Sequence, residues 1–153
     1  MKPLITILSC LICIQLFACC NKNNEVTSGH NNVLNTESMK LKITIGTNTF
    51  TAALYHNTTA AAFKEKLPVT INMSELNGNE KYFDLPNNLP SNVSNPGTIQ
   101  AGDVMLYGSN TLVLFYKAFS TSYNYSRIGR IDNPSGLAAA LGSGNITVKF
   151  ELE

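Results

Sequence analysis

The segment NPGTIQAGDVMLYGSNTLVLFY, from Asn95 to Tyr116, indicates the class of fold most directly. Val104–Tyr107 and Leu112–Tyr116 have the composition of strands, and Gly108-Ser109-Asn110 between them has the composition of a turn. The second strand is apolar at every position, which is typical of a strand covered on both faces. The segment therefore predicts an antiparallel hairpin with one deeply buried strand.

Strand patterns continue on both sides of this hairpin. Leu41, Ile43 and Ile45 alternate with polar residues, and Phe50–Leu54 alternates again after a turn at Gly46, so these two strands are predicted to pair. Further predicted strands are Val69–Met73, Glu80–Leu85, Ile128–Ile131 and Ile146–Leu152, the last with Ile146, Val148, Phe150 and Leu152 facing inward. The chain thus has about seven or eight strands, most of them joined by hairpins.

Two short helices are predicted between strands. The first is capped by Thr58 or Thr59 and stops at Pro68, and the second starts at Asp132-Asn133-Pro134 and ends at Gly142. Their apolar faces are formed by Ala60, Phe63 and Leu67 in the first helix and by Leu137, Ala140 and Leu141 in the second. The pattern predicts a mainly β fold: an antiparallel barrel with a helix plugging each open end.

The first residues of the chain predict its compartment. Leu4–Phe17 is apolar but shorter than the roughly 20 residues of a membrane-spanning helix. It follows a positive start and closes with Leu16-Phe17-Ala18-Cys19, which resembles the lipobox of a bacterial lipoprotein signal peptide. Residues 1–18 are thus predicted to be removed and Cys19 to be lipidated, which anchors the chain in a bacterial cell envelope. An ordinary signal peptide followed by two unrelated cysteines is the alternative.

The remaining chain is predicted to form one linker and one domain. Residues 19–38 are rich in asparagine and poor in apolar residues, which predicts a disordered linker, and residues 39–153 form the domain. The four cysteines all lie at or before Cys20, so the domain is predicted to fold without disulfides. A net charge of +1 with no basic patch argues against nucleic acid as a partner.

Three segments resemble the bacterial cyclophilin-like family of small barrel domains. They are residues 95–116, Arg127–Ile131 with the helix Gly136–Leu141, and Asn77–Tyr82. The resemblance implies a closed eight-stranded β-barrel with two short capping helices. It relates the chain to the cyclophilins, which are peptidyl-prolyl isomerases, whereas the role of the cyclophilin-like domains themselves is largely unassigned.

The residues that cyclophilin isomerases use for catalysis have no counterpart in this sequence. The third strand, which holds an arginine in those enzymes, has none here, and Tyr125 stands where they place a histidine. Aliphatic residues near Leu112 and Leu114 replace the phenylalanine and glutamine of the proline pocket. The comparison favours a protein that is not an enzyme.

One segment combines aromatic, hydroxyl and guanidinium groups. Residues 119–127 contain three aromatic rings, several hydroxyl groups and the guanidinium of Arg127. In a cyclophilin barrel this segment borders the active-site groove. Tyrosine has a flat apolar face with a polar tip, and arginine pairs with carboxylates, so the segment predicts a site for a peptide or a small anionic ligand. The candidate binding residues are Tyr107, Leu114, Tyr116, Ser120, Ser122, Tyr123, Tyr125 and Arg127. Removal of the Arg127 guanidinium is expected to weaken binding; the alternative is that the tyrosines only cap the barrel rim.

The amino-acid composition of the domain limits which metal or acid–base sites it can form. His56 is the only histidine of the domain and no cysteine remains there, so a metal site is not expected and no cofactor is predicted. The carboxylates Glu75, Glu80, Asp84 and Asp103 are assigned solvated or turn-forming roles in preference to an acid–base pair, with Asp103 capping a turn. The long loop Pro86–Gly97 is either functional or a wrap around the barrel.

Three functions follow from these features. The first is a non-enzymatic module at the cell envelope that binds a peptide or a small ligand in an open groove lined by Tyr116, Tyr125 and Arg127. The second is a weak or atypical peptidyl-prolyl isomerase in the same groove. The third is a structural lipoprotein that binds no small ligand and acts as a partner in an envelope assembly, which a closed groove would favour. Which face of which membrane holds the lipid, the oligomeric state and the fate of Cys20 stay open.

Overall fold

A computed structural model of the chain describes residues 39–153. The predicted signal peptide, lipidated Cys19 and linker lie outside the described residues. The strands are β1 (Lys40–Ile45), β2 (Asn48–Leu54), β3 (Val69–Leu76), β4 (Glu80–Asp84), β5 (Thr98–Ile99), β6 (Asp103–Tyr107), β7 (Thr111–Phe115), β8 (Phe119–Ser120), β9 (Tyr125–Ile131) and β10 (Ile146–Leu152), and the helices are α1 (Thr58–Lys64) and α2 (Leu137–Leu141).

Eight strands close into a barrel in the order β1-β10-β3-β4-β7-β6-β9-β2. Every neighbouring pair is antiparallel. Only three of the eight pairs, β1–β2, β3–β4 and β6–β7, are hairpins of consecutive strands, so hairpins are fewer than predicted. The remaining two strands, β5 and β8, pair with each other in a small separate sheet. The prediction of a mainly β, closed eight-stranded barrel is confirmed.

The two helices lie at opposite ends of the barrel. α1 joins the end of β2 to the start of β3, whereas α2 joins the end of β9 to the start of β10, at the other end of the strands. Phe63 of α1 and Leu137 and Leu141 of α2 are buried in the barrel core. Each helix thus covers an open end with apolar side chains, as predicted.

The start of α1 differs from the prediction. Asn57 is the N-cap, and its side-chain oxygen accepts a hydrogen bond from the backbone N–H of Ala60 at 2.8 Å. Thr59 is instead buried, and its hydroxyl donates to the carbonyl of Pro90 at 2.7 Å. Asparagine is as good a cap as threonine, so composition alone did not distinguish the positions.

The start of α2 and the end of β10 also differ from the prediction. α2 begins at Leu137, because Asn133 accepts a hydrogen bond from the N–H of Ser135 at 3.1 Å and so forms a turn before the helix. Gly136, with a φ of 81°, then redirects the chain into the helix. Leu152 was predicted to face inward but is 44% exposed, since it lies near the chain end beyond the enclosed part of the barrel.

The apolar strand β7 separates two hydrophobic clusters. Leu112 and Leu114 face the barrel core, whereas Val113 and Phe115 face a second cluster on the outside of the wall. The outer cluster consists of Ile99, Met105, Val113, Phe115 and Tyr125, with Tyr82 and Phe119 packed against it. The strand is therefore covered on both faces, as its composition predicted.

The loop Pro86–Gly97 is held against the barrel by hydrogen bonds. Besides the bond from Thr59 to Pro90, the N–H of Asn92 donates to the Ser126 hydroxyl at 2.8 Å. Leu89, a residue of the loop, is buried in the barrel core. These contacts favour the predicted alternative of a structural wrap, and the loop does not line the cavity described next.

Candidate functional site

A cavity of about 420 Å³ lies against the outer face of the barrel wall, over β4, β6, β7 and the start of β9. Its size is typical of sites for small ligands, which are commonly about 300–1,000 Å³. Its aromatic lining consists of Tyr82, Tyr107, Phe119, Tyr123 and Tyr125, and the rest consists of Leu76, Asn77, Asn79, Glu80, Asp84, Thr111 and Val113. Aromatic and acidic groups thus meet in one concave surface.

Five aromatic rings form a continuous row, and four of them, all except Phe115, line this cavity. Tyr123 packs edge-on against Tyr107 with ring centroids 6.0 Å apart, and Tyr107 lies 5.5 Å from Tyr125. Tyr125 packs edge-on against Phe115 at 5.5 Å, and Phe115 lies 5.8 Å from Phe119. Such pairs add about 0.5–1.5 kcal/mol each beyond the area they bury, so the row holds its shape before any ligand binds.

Glu80 is the most deeply buried acid in the lining. It is only 9% exposed, and its carboxylate makes no hydrogen bond or ion pair with any other group in residues 39–153. Burial, followed by the nearby charge of Glu75, raises the pKa of Glu80 above its ordinary value. The cavity therefore contains a carboxylate whose charge nothing in the described chain neutralises.

Tyr125, the central ring of the row, lines the same cavity as Glu80. It is 6% exposed, and burial raises the pKa of its phenol, with the charge of Glu80 as the next cause. A hydrogen bond with the Thr121 side chain acts in the opposite direction and lowers the pKa of Tyr125, but burial outweighs it.

A second carboxylate lies at the other end of β4. Asp84 is exposed, and its carboxylate accepts a hydrogen bond from the Thr111 hydroxyl at 2.6 Å. Glu80 and Asp84 are four residues apart on the same face of a strand, so their Cα atoms are separated by roughly 13 Å. The lining of the cavity, as residues 39–153 form it, includes two carboxylates and no lysine or arginine.

A separate polar network closes the α2 end of the barrel. Lys81 is fully buried, and its ammonium donates to the carbonyls of Gly142 at 2.9 Å and Gly144 at 2.6 Å and to the Glu75 carboxylate. These three bonds use all three donors of the ammonium. Lys81 thus ties the loop after α2 to the inside of the wall.

Tyr116 belongs to this network and not to the cavity. Its hydroxyl donates to Glu75 at 2.8 Å, and burial together with that bond raises the pKa of Tyr116 to about 12. For Glu75, burial opposes ionisation, but hydrogen bonds from Lys81 and Tyr116 outweigh it and lower the pKa. The network is internally satisfied, which indicates a structural role.

The structure divides the predicted binding residues. Tyr107, Tyr123 and Tyr125 meet in the cavity, whereas Leu114 is fully buried in the barrel core. Their binding role stays a prediction. The groove expected to join Tyr116, Tyr125 and Arg127 is not formed, because Tyr116 and Tyr125 lie on opposite sides of the barrel wall.

Three further candidates, Ser120, Ser122 and Arg127, lie outside the lining. Arg127 is partly exposed on β9, where its backbone carbonyl accepts a hydrogen bond from the Asn57 amide at 2.9 Å. The positive group that motivated an anionic ligand is therefore absent from the cavity wall.

Sequence reasoning missed the contribution of β4 to the cavity. Glu80 and Asp84 were weighed as a possible acid–base pair but not as part of a binding site, yet the spacing of two residues places Glu80, Tyr82 and Asp84 on one face of a strand. That spacing was the available signal. The spacing did not indicate that this face of β4 meets the tyrosines of β6 and β9, because β7, which separates β4 from β6, is apolar on both faces.

Asp103, another carboxylate considered in the sequence, has a structural role. Asp103 caps its turn as predicted, accepting a hydrogen bond from the N–H of Gln100 at 2.8 Å, and burial raises its pKa. Within residues 39–153, no three side chains of His, Cys, Asp or Glu lie close enough to share a metal ion. In the same range, neither helix has the length and apolar character needed to cross a bilayer.

Comparisons with known proteins agree with this architecture. A sequence model of the cyclophilin-like family matches residues 43–151. Among solved structures, the chain is similar to a hypothetical protein from Archaeoglobus fulgidus determined in solution, with a TM-score of 0.52 and 22% identity over 76% of this chain and 95% of that one. That likeness concerns the fold alone. No curated protein matches this chain.

Proposed function

This chain belongs to the cyclophilin-like family, and from that membership we propose that its barrel is a non-enzymatic module that binds a peptide or a small ligand. The observation that supports the proposal is the open aromatic cavity on the outer face of the wall. Its rings are already packed against one another, so binding requires little ordering of side chains. A purely structural lipoprotein has no need of such a cavity.

The absence of isomerase groups supports binding without catalysis. Twisting a prolyl amide requires lowering a barrier of roughly 18–20 kcal/mol. Cyclophilin isomerases use an arginine for this, but β3 contains none, and neither Arg127 nor Arg130 of the described barrel lines the cavity. The sequence-based comparison and the composition of the cavity thus favour the same function.

An NMR titration tests this function. The full chain, purified in a mild detergent, is titrated with short proline-containing peptides, and exchange spectroscopy follows the cis and trans prolyl signals. We expect shifts at Tyr107, Tyr123 and Tyr125 without cis–trans exchange peaks. Exchange peaks would identify an isomerase instead, and shifts confined to other surfaces would place the site elsewhere.

We also propose that lipid on Cys19 holds the module at a bacterial cell envelope, with residues 19–38 as the linker. The support is the lipobox-like sequence Leu16-Phe17-Ala18-Cys19. Labelling of cells with a palmitate analogue tests it: Cys19→Ser is expected to lose the label and leave the membrane fraction, whereas the matched variant Cys20→Ser keeps both. Retention of the label by Cys19→Ser would contradict the proposal.

A further inference from the structure

We propose that the cavity selects ligands that carry a positive charge: an amine or guanidinium group, either on a free small molecule or on a lysine or arginine side chain of a peptide. This inference rests on the proposed binding function and specifies its ligand class. It replaces the anionic ligand that the sequence suggested, since Arg127 lies outside the lining.

The first support is the uncompensated acid. Glu80 is nine-tenths buried, lines the cavity and has neither a hydrogen-bond donor nor a cation as partner within residues 39–153. Lys81, its neighbour, is unavailable, because its ammonium is bonded to Glu75 and two carbonyls inside the barrel. A buried charge without a partner is unfavourable, and a bound cation supplies that partner.

The second support is the aromatic wall next to the acid. Tyr125 is almost fully buried beside Glu80, whereas Tyr107 and Tyr123 are 45% and 62% exposed and form the open side of the cavity. The faces of aromatic rings attract cations by electrostatics. A cation entering past the two exposed rings therefore meets favourable contacts before it reaches the carboxylate.

The third support is the negative charge of the residues that line the cavity. Asp84 adds a second carboxylate at the far end of β4, and residues 39–153 contribute no lysine or arginine to the lining. An anionic ligand would meet two like charges and no counter-charge. A cationic ligand can pair with Glu80 at one end of β4 or with Asp84 at the other. The cavity therefore discriminates by charge as well as by shape.

The test compares ligands matched in size and different in charge. The full chain in mild detergent is titrated with acetyl-Gly-Lys-Gly amide and with its neutral analogue containing norleucine, and binding is followed by NMR shifts of the cavity tyrosines. We expect the lysyl peptide to bind about tenfold more tightly. n-Butylamine and butyrate form a second pair, and binding of butylamine as well as the peptide indicates that a free amine suffices.

Variants assign the preference to the acid. Glu80→Gln is expected to remove the advantage of the lysyl peptide, whereas Glu65→Gln, the same change at an exposed site outside the lining, keeps it. Equal binding of both peptides, or better binding of butyrate, would overturn the charge preference and leave the binding function intact. If none of the four probes shifts the cavity tyrosines but proline-containing peptides do, the charge preference alone fails. If the proline-containing peptides also leave these tyrosines unshifted, the binding function fails as well.

Discussion

Glu80 and Lys81 are neighbours in the chain, yet β4 directs their side chains to opposite sides of the barrel wall. Glu80 pairs in register with Phe115 and lines the outer cavity, whereas Lys81 pairs with Leu114 and lies inside the barrel. Two opposite charges that adjoin in sequence thus do not neutralise each other. Lys81 stabilises the fold, and Glu80 is left with an unmatched charge at the candidate site.

The unmatched charge predicts that Glu80→Gln stabilises the protein at neutral pH. Burial, and then the charge of Glu75, raises the pKa of Glu80 in the folded chain. A carboxyl group with a raised folded pKa lowers the free energy of unfolding as pH rises through that pKa, since the fold binds the proton more tightly than the unfolded chain does. We expect a higher urea midpoint for Glu80→Gln at about pH 7 and no gain at about pH 3, where both states are protonated.

The control for this measurement is Glu65→Gln, whose carboxylate is exposed. Its urea midpoint is expected to match that of the unchanged protein at both pH values. A loss of stability in Glu80→Gln at neutral pH would show that the Glu80 carboxylate has a stabilising partner.

Removal of the buried ammonium of Lys81 is expected to destabilise the barrel strongly. Lys81→Met leaves the carbonyls of Gly142 and Gly144 without their side-chain donor and Glu75 without its cation. Breaking a buried ion pair from one side typically costs about 3–5 kcal/mol, and we expect a loss of that size in urea unfolding. The exposed Lys66→Met is expected to change the stability by less than about 0.5 kcal/mol. A loss below about 1 kcal/mol in Lys81→Met would contradict the structural role of the network.

Gly129 is expected to tolerate no side chain. A Cβ at this position on β9 would lie 2.7 Å from the backbone carbonyl oxygen of Ala53 on β2, which forces the two strands apart. We expect Gly129→Ala to lose about 1–3 kcal/mol of stability, as overpacked sites do. Gly144→Ala is the matched control, because nothing lies within 4 Å of its Cβ. Equal midpoints of Gly129→Ala and Gly144→Ala in thermal unfolding would show that β2 and β9 are farther apart than the structure indicates.

The location of the cavity predicts different effects of two surface variants on binding. Tyr123 is 62% exposed at the open side, and Tyr123→Ala is expected to weaken binding of the lysyl peptide about two- to fivefold through loss of a cation–ring contact. Arg127 lies outside the lining, so Arg127→Ala is expected to leave binding unchanged. Titration by NMR measures both, and a larger effect at Arg127 would place the site farther along the outer face of β9, beyond the lining described here.

The regular parts of the fold were predictable because their signals are local. Alternation along β1, β2 and β10 and the apolar run of β7 indicate strands irrespective of what they pack against. The short strands β5 and β8 were missed, since two residues hold too little pattern, and the caps of both helices were misplaced by one to a few residues because several neighbouring residues were equally suitable.

The candidate site was only partly predictable for a related reason. In a strand that is apolar on both faces, alternation does not indicate which face is the interior, so Leu114 was assigned to the site while Val113 and Phe115 were the outward residues. Tyr123 and Tyr125 were predicted together because they lie in the one segment 119–127. Their acidic partners on β4 were not, because β4 and β9 are separated in the barrel by two other strands.

By itself, the sequence determined the barrel strands, the presence of two helices and the family, since these depend on the order of polar and apolar residues along short segments. Only the tertiary structure decided that Glu80 faces the tyrosines while Lys81 faces the core. That outcome depends on the register in which β4 pairs with β7, and a shift of one residue would exchange the two faces. The charge of the cavity is therefore a property of the closed barrel and of no single segment.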